Sequence, residues 1–334
     1  MKHKISLYEL FKIKSLFPLN VFNNYIYKKY FLIILMLFYF TSEQLEISLV
    51  IKGIGEKNFL NEEFYLNPDK VIVNGNIKEN CHKSCNFEED LNIVTIRFNE
   101  QINSCENMFK DMRDIVEIDL SNLDTSKVTN MSSMFSGCLN LEKITFGNIN
   151  TSSVQNMYYL FYNCKKLTSI DLLNFDTSSV TTMERMFSLG ESLLSIDASS
   201  FNTEKVDNMY DIFAYCYNLI VINVSNFDIS KVKNMQGMFF RCQNLKYLDL
   251  SNFETSSVEY INALFAFTTS LIYLNLNSFK LINTPIEHDN IFLNTNIAIK
   301  ICIIDIETRN LLGLSESSCN CYDTCFNKNI KINL

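Results

Sequence analysis

Met238–Ala263 reads MFFRCQNLKYLDLSNFETSSVEYINA, and stretches very like it stand seven times in succession without a change of length. Taking the Met/Leu/Ile–Phe pair as positions 1 and 2, the units begin at Met108, Met134, Leu160, Met186, Ile212, Met238 and Leu264, a constant spacing of 26 residues. Self-similarity at such a period is the signature of a solenoid, in which no unit buries its apolar face alone and neighbours must stack.

Position 8 holds only Leu or Ile, from Ile115 to Leu271, and position 11 likewise, from Ile118 to Leu274. Position 13 is apolar too, and between 11 and 13 stands Asp119, Thr145, Asp171, Asp197, Asn223, Asp249 or Asn275. Alternation of this kind predicts a short strand with positions 11 and 13 inward and positions 10, 12 and 14 facing water. Position 16 is a large apolar residue, such as Phe175, Phe227 or Phe253, expected to fill a corner of the coil. A polar turn follows, exemplified by Asp176, Thr177 and Ser178. Its hydroxyls have the chemistry of a helix N-cap. Val180, Met183, Met186 and Phe187 then make an apolar stripe at helical period, so each unit is expected to be strand, corner and short helix.

The pattern L-x-x-I-D-L-S-N-F-D-T-S-x-V-x-N-M-x-x-M-F, clearest in Leu167–Phe187 and Leu245–Phe265, resembles the BspA-type leucine-rich repeat of bacterial, mycoplasmal and protist surface proteins. The resemblance covers roughly Cys105 to Phe279. It implies an α/β leucine-rich-repeat-like solenoid, export from the cell, and a role in attachment or partner contact.

Around the array the chain divides into four stretches. Residues 1–42 carry Lys28 and Lys29 ahead of YFLIILMLFYF, Tyr30–Phe40, an apolar run of signal-peptide length and too short to span a bilayer. A cleaved signal peptide places the protein at the cell surface or in the medium, and an uncleaved signal anchor is the alternative. Residues 43–103 show short alternating runs that predict a β-rich cap over the first repeat. Residues 104–282 hold the repeats. Residues 283–334 end with Cys302, Cys319, Cys321 and Cys325 and read as a C-terminal cap.

Of 334 residues, 47% are hydrophobic, with only 8 Gly and 3 Pro, which excludes a disordered or collagenous chain. The net charge is −8, but the first 29 residues hold six Lys and one acidic residue, leaving 23 basic against 36 acidic residues and a balance of −13 beyond them. That charge repels a phosphate backbone, so no nucleic-acid partner is expected.

Cys138, Cys164, Cys216 and Cys242 share repeat position 5 and are expected to be buried, unpaired thiols. The cysteines outside that row, including Cys81, Cys85, Cys105 and Cys302, are expected to form cap disulfides in an exported protein. Their spacing matches no common zinc site, the three His are scattered, and no phosphate-binding glycine loop occurs, so no metal, cofactor or catalytic grouping is expected. The expected function is binding a protein or glycan at a cell surface or matrix through the concave sheet. Asp171, Asp197, Tyr247, Asp249 and Tyr273 are the expected contacts, and membrane contact is limited to the N-terminal run. The other reading is an intracellular or membrane-anchored scaffold for protein assembly.

Overall fold

The computed structural model describes residues 45–281 and 286–314. The N-terminal apolar run and Cys319, Cys321 and Cys325 lie outside them. Among the described residues no helix is long and apolar enough to cross a membrane.

The repeats form a course of short strands and turns, a β-solenoid, and the helix expected in each unit does not form. The one α-helix among the described residues is α1, Ile306–Leu311, which belongs to no repeat. The fold class read from the sequence is therefore corrected from an α/β leucine-rich-repeat-like array to a β-solenoid. The reason lies in the stretch that carries the Met/Phe stripe. Where the third unit meets the fourth, Arg185 and Leu189 are left-handed, with φ of 52° and 60°, and a left-handed residue at each of these two positions recurs from Asn107 and Asp111 to Ala263 and Phe267. No right-handed helix passes through such a residue. The amides of Met183, Arg185, Phe187 and Leu189 donate to Asn208, Tyr210, Ile212 and Ala214 in the next unit. The amides between them, Met186, Ser188 and Gly190, close tight turns three residues back, onto Met183, Arg185 and Phe187. Every second amide thus leaves its own segment, where an α-helix would keep all of them.

Six of the seven units otherwise contribute the expected strand, and the third, around Ile170–Leu172, follows the same course without strand pairing. The six strands are β7 (Ile115–Asn122), β8 (Lys143–Thr145), β9 (Ser195–Asp197), β10 (Val221–Asn223), β11 (Tyr247–Asp249) and β12 (Tyr273–Asn275). Neighbours pair in parallel at a one-unit offset, Glu117 on Lys143, Val221 on Ser195 and Tyr247 on Tyr273. A second line of contact is a run of single parallel bridges from Ser104–Asn130 to Tyr260–Glu287. The coil continues past the last regular unit. Strand β13, Lys300–Cys302, pairs in parallel with β12, and Phe292 stacks on Phe265.

Identical residues from successive units stack inside the coil. Phe109, Phe135, Phe161, Phe187, Phe213, Phe239 and Phe265 form one file with centroids 5.4 to 6.0 Å apart. Phe201, Phe227 and Phe253 form another at 6.3 Å, and these corner residues are buried as expected. Thr125, Thr151, Thr177 and Thr203 form a buried polar file. Each hydroxyl donates to a backbone carbonyl of the next unit, as Thr177 does to Asn202, and the hydroxyls of Thr125, Thr151 and Thr177 also accept the amide of that residue. These threonines were expected to cap a helix. They instead tie one turn of the coil to the next.

Cys138, Cys164, Cys216 and Cys242 are buried free thiols, and each Sγ donates to the carbonyl of a Phe in the preceding unit at 3.0 to 3.3 Å. Burial pushes the Cys164 and Cys216 thiols up to about 12, far from a reactive thiolate. Cys81 and Cys85 are joined in a disulfide. Cys105, expected in a cap disulfide, is a buried free thiol in the coil at the place held by Met131 in the next unit, and Cys302 is buried on β13.

The start of the coil is closed by added strands. β1 (Leu45–Lys52) lies antiparallel to β7 on one side and to β6 (Leu91–Phe98) on the other, and β3 (Lys70–Val73) and β4 (Asn76–Ile77) extend the same sheet. Strict alternation in LEISLVIK buries Leu45, Ile47, Leu49 and Ile51. The first repeat strand therefore has no open edge, the usual liability of a sheet that simply stops. A separate hairpin pairs β2 (Gly55–Asn58) with β5 (Ser84–Phe87), the strand that carries Cys85.

Candidate functional site

Strand alternation puts positions 10 and 12 of every unit on one outer face, and stacking lines them up in columns one strand spacing apart, about 4.8 Å. Tyr247 and Tyr273 occupy position 10 of adjacent strands and are direct register partners, with Lys300 next in the same column. The two rings stack with centroids 5.5 Å apart at 11°, and Lys300 Nζ stands 5.5 Å from the Tyr273 centroid. Both tyrosines are half-buried. Two phenol rings and a cation are thus held by three parallel strands on a rigid sheet, an arrangement suited to contact rather than to proton transfer.

The expected carboxylates lie in the adjacent column. Asp249 is exposed two residues beyond Tyr247 and pairs in register with Asn275. Asp197 pairs with Asn223, and Asp171 is exposed one unit earlier. Only Asp249 joins the tyrosines, while Asp197 and Asp171 sit two and three units back along the same face. All three have a backbone duty that the sequence reading missed. Asp171, Asp197 and Asp249 accept the amides of Leu173, Ser199 and Ser251 at 3.0 to 3.1 Å, and Asp119, Asn223 and Asn275 make the same bond. The signal was present: Asp and Asn alternate at one position because both offer the same acceptor for this turn. Opening this turn accounts for the carboxylate row.

A second aromatic band lies on the turn side of the coil and was not foreseen. Arg185 stacks between Tyr159 and Tyr210, 5.5 and 4.7 Å from their centroids, and forms an ion pair with Asp211 at 3.2 Å. Both phenol oxygens accept from its guanidinium. Burial raises the Asp211 carboxyl against the pull of Arg185. Two units on, Arg241 stands over Phe267, Phe240 and Tyr215 at 4.5, 5.4 and 5.9 Å. Tyr and Arg at positions 4, 25 and 26 of the repeat were legible residue by residue, but their convergence depends on the left-handed turns.

Two overlapping stretches, residues 103–222 and 190–299, match the family described as Mycoplasma protein of unknown function, DUF285. Together they cover more than half of the chain. The chain belongs to the DUF285 family. No curated protein and no solved structure matches it. The DUF285 span opens one residue before the first inter-unit bridge, at Ser104, and closes one residue before β13. It is therefore the coil itself, and it contains Tyr247, Asp249 and Tyr273 as well as the turn-side band.

Proposed function

We propose that this DUF285 solenoid is a binding protein exposed at the cell surface or secreted, which contacts a protein or glycan through its strand face. The observation that carries the reading is the stacked Tyr247–Tyr273 pair beside Lys300 on three consecutive parallel strands. Tyrosine brings large amphipathic contact area at low entropic cost and is enriched where interfaces gain most of their energy. Asp249 borders the pair and would act chiefly on association rate, in a salt-dependent way. The resemblance of the repeats to BspA-type surface proteins, the apolar run at Tyr30–Phe40 and the Cys81–Cys85 disulfide support exposure outside the cytosol.

Binding of the purified full chain to cell-coated and matrix-coated surfaces tests the reading. Tyr247→Ser with Tyr273→Ser should fold normally and bind at least about tenfold more weakly, the loss expected when an aromatic hot spot is truncated. Wild-type binding by a well-folded double variant would reject the strand face as the site. Antibody labelling of the repeats on intact cells tests location, and labelling only after permeabilisation would favour the scaffold reading.

A further inference from the structure

We propose a second binding site on the turn side of the coil: Arg241, with Tyr215, Phe240 and Phe267, takes an acidic side chain from a peptide segment of a partner protein. The guanidinium is packed among three rings yet has no hydrogen bond or ion pair to its side chain among the described residues. Of the other half-buried arginines, Arg97 is paired with Glu46 and Arg185 with Asp211, while Arg309 donates to the Ile303 carbonyl. A planar cation set in an apolar surround and lacking its carboxylate is half of a charge-assisted, two-pronged contact.

The rings decide the class of ligand. Tyr215 with Phe240, and Phe240 with Phe267, meet edge to face, at 77° and 82°. Arg241 stands over all three rings and competes with a sugar for stacking on them, while ring edges remain for apolar side chains that flank an acid. The chain's charge of −8 disfavours a polyanion and leaves an isolated carboxylate between apolar residues as the best match.

The test uses the full chain and three probes: N-acetyl-Phe-Glu-Phe-amide, its Gln counterpart, and methyl glucuronide as the acidic-glycan arm. The altered protein is Arg241→Asn. Arg241 is left-handed at φ 62°, and Asn163 and Asn294 occupy the equivalent turn at 59° and 53°, so Asn suits the backbone while removing the guanidinium. The Glu peptide should bind about tenfold more tightly than the Gln peptide, as a charge-assisted bond implies. Arg241→Asn should erase that preference with an unchanged unfolding midpoint. Tyr247→Ser with Tyr273→Ser should keep it, which separates this site from the strand face. Equal affinity for the two peptides, a preference that survives Arg241→Asn, or tighter Arg241-dependent binding of the glucuronide would each overturn the proposal.

Discussion

Thr177 shows how a single hydroxyl holds two turns of the coil in register. It is buried, donates to the Asn202 carbonyl and accepts the Asn202 amide, both at 2.8 Å. Thr177→Val keeps the shape and removes both bonds, leaving two backbone groups unpaired at a cost of about 1–3 kcal/mol. The added methyl offsets less than about 0.8 kcal/mol of that. A clear fall in the denaturant midpoint is expected, and an unchanged midpoint would mean that the file of threonines is incidental. The fifth unit carries Ile229 at this place, also buried. A coil therefore tolerates one missing tie, so the cost of Thr177→Val belongs to one rung and not to the whole array.

The turns that begin with Asp176 and Asp228 are sensitive to acid. Side-chain and backbone hydrogen bonds from Ser178 hold the Asp176 carboxyl below its ordinary value, and the backbone amide and hydroxyl of Ser230 do the same for Asp228. A lowered folded-state pKa means that the unfolded chain binds the proton more tightly. The stabilisation is therefore complete above the unfolded value of 3.8 and is lost as pH falls through the folded value. Asn150 and Asn202 fill the same position and accept the same amide without titrating. Asp176→Asn with Asp228→Asn should accordingly flatten the fall in stability below about pH 4, and an unaltered acid-unfolding profile would contradict the assignment. The same scale explains what the sequence could and could not disclose. Strand and corner were legible because the alternation around Ile196 and the Phe227 corner are local patterns. The turn band was misread as helix because Val180, Met183, Met186 and Phe187 are buried at helix-like intervals, while the partners of their amides lie in the next unit. Gly137, Gly237, Asn163 and Asp111 inside the supposed helices were the available warning, since such residues favour left-handed turns over helix interiors. The structure adds a second reason for glycine at Gly237, where a Cβ would lie 2.0 Å from Asp211 Oδ1.

For the molecule as a whole, a 26-residue coil turns sequence columns into surfaces, and that conversion decides which functional residues could be found in advance. Tyr247 and Tyr273 were legible as a pair because identical positions in adjacent units become register partners in any solenoid. The aromatic surround of Arg241 was not, since it joins two positions of the repeat across three units through turns whose handedness no periodicity reveals. Lys300 escaped because the chain beyond Leu281 departs from the repeat pattern while β13 still continues the coil. The parallel β-coil is the claim on which both proposed surfaces depend. It is tested most directly by through-hydrogen-bond scalar coupling at the Phe187 amide in solution. The coil predicts coupling from Phe187 N to the carbonyl carbon of Ile212, one unit ahead, and coupling to Met183, four residues back, would restore the helix and contradict the account.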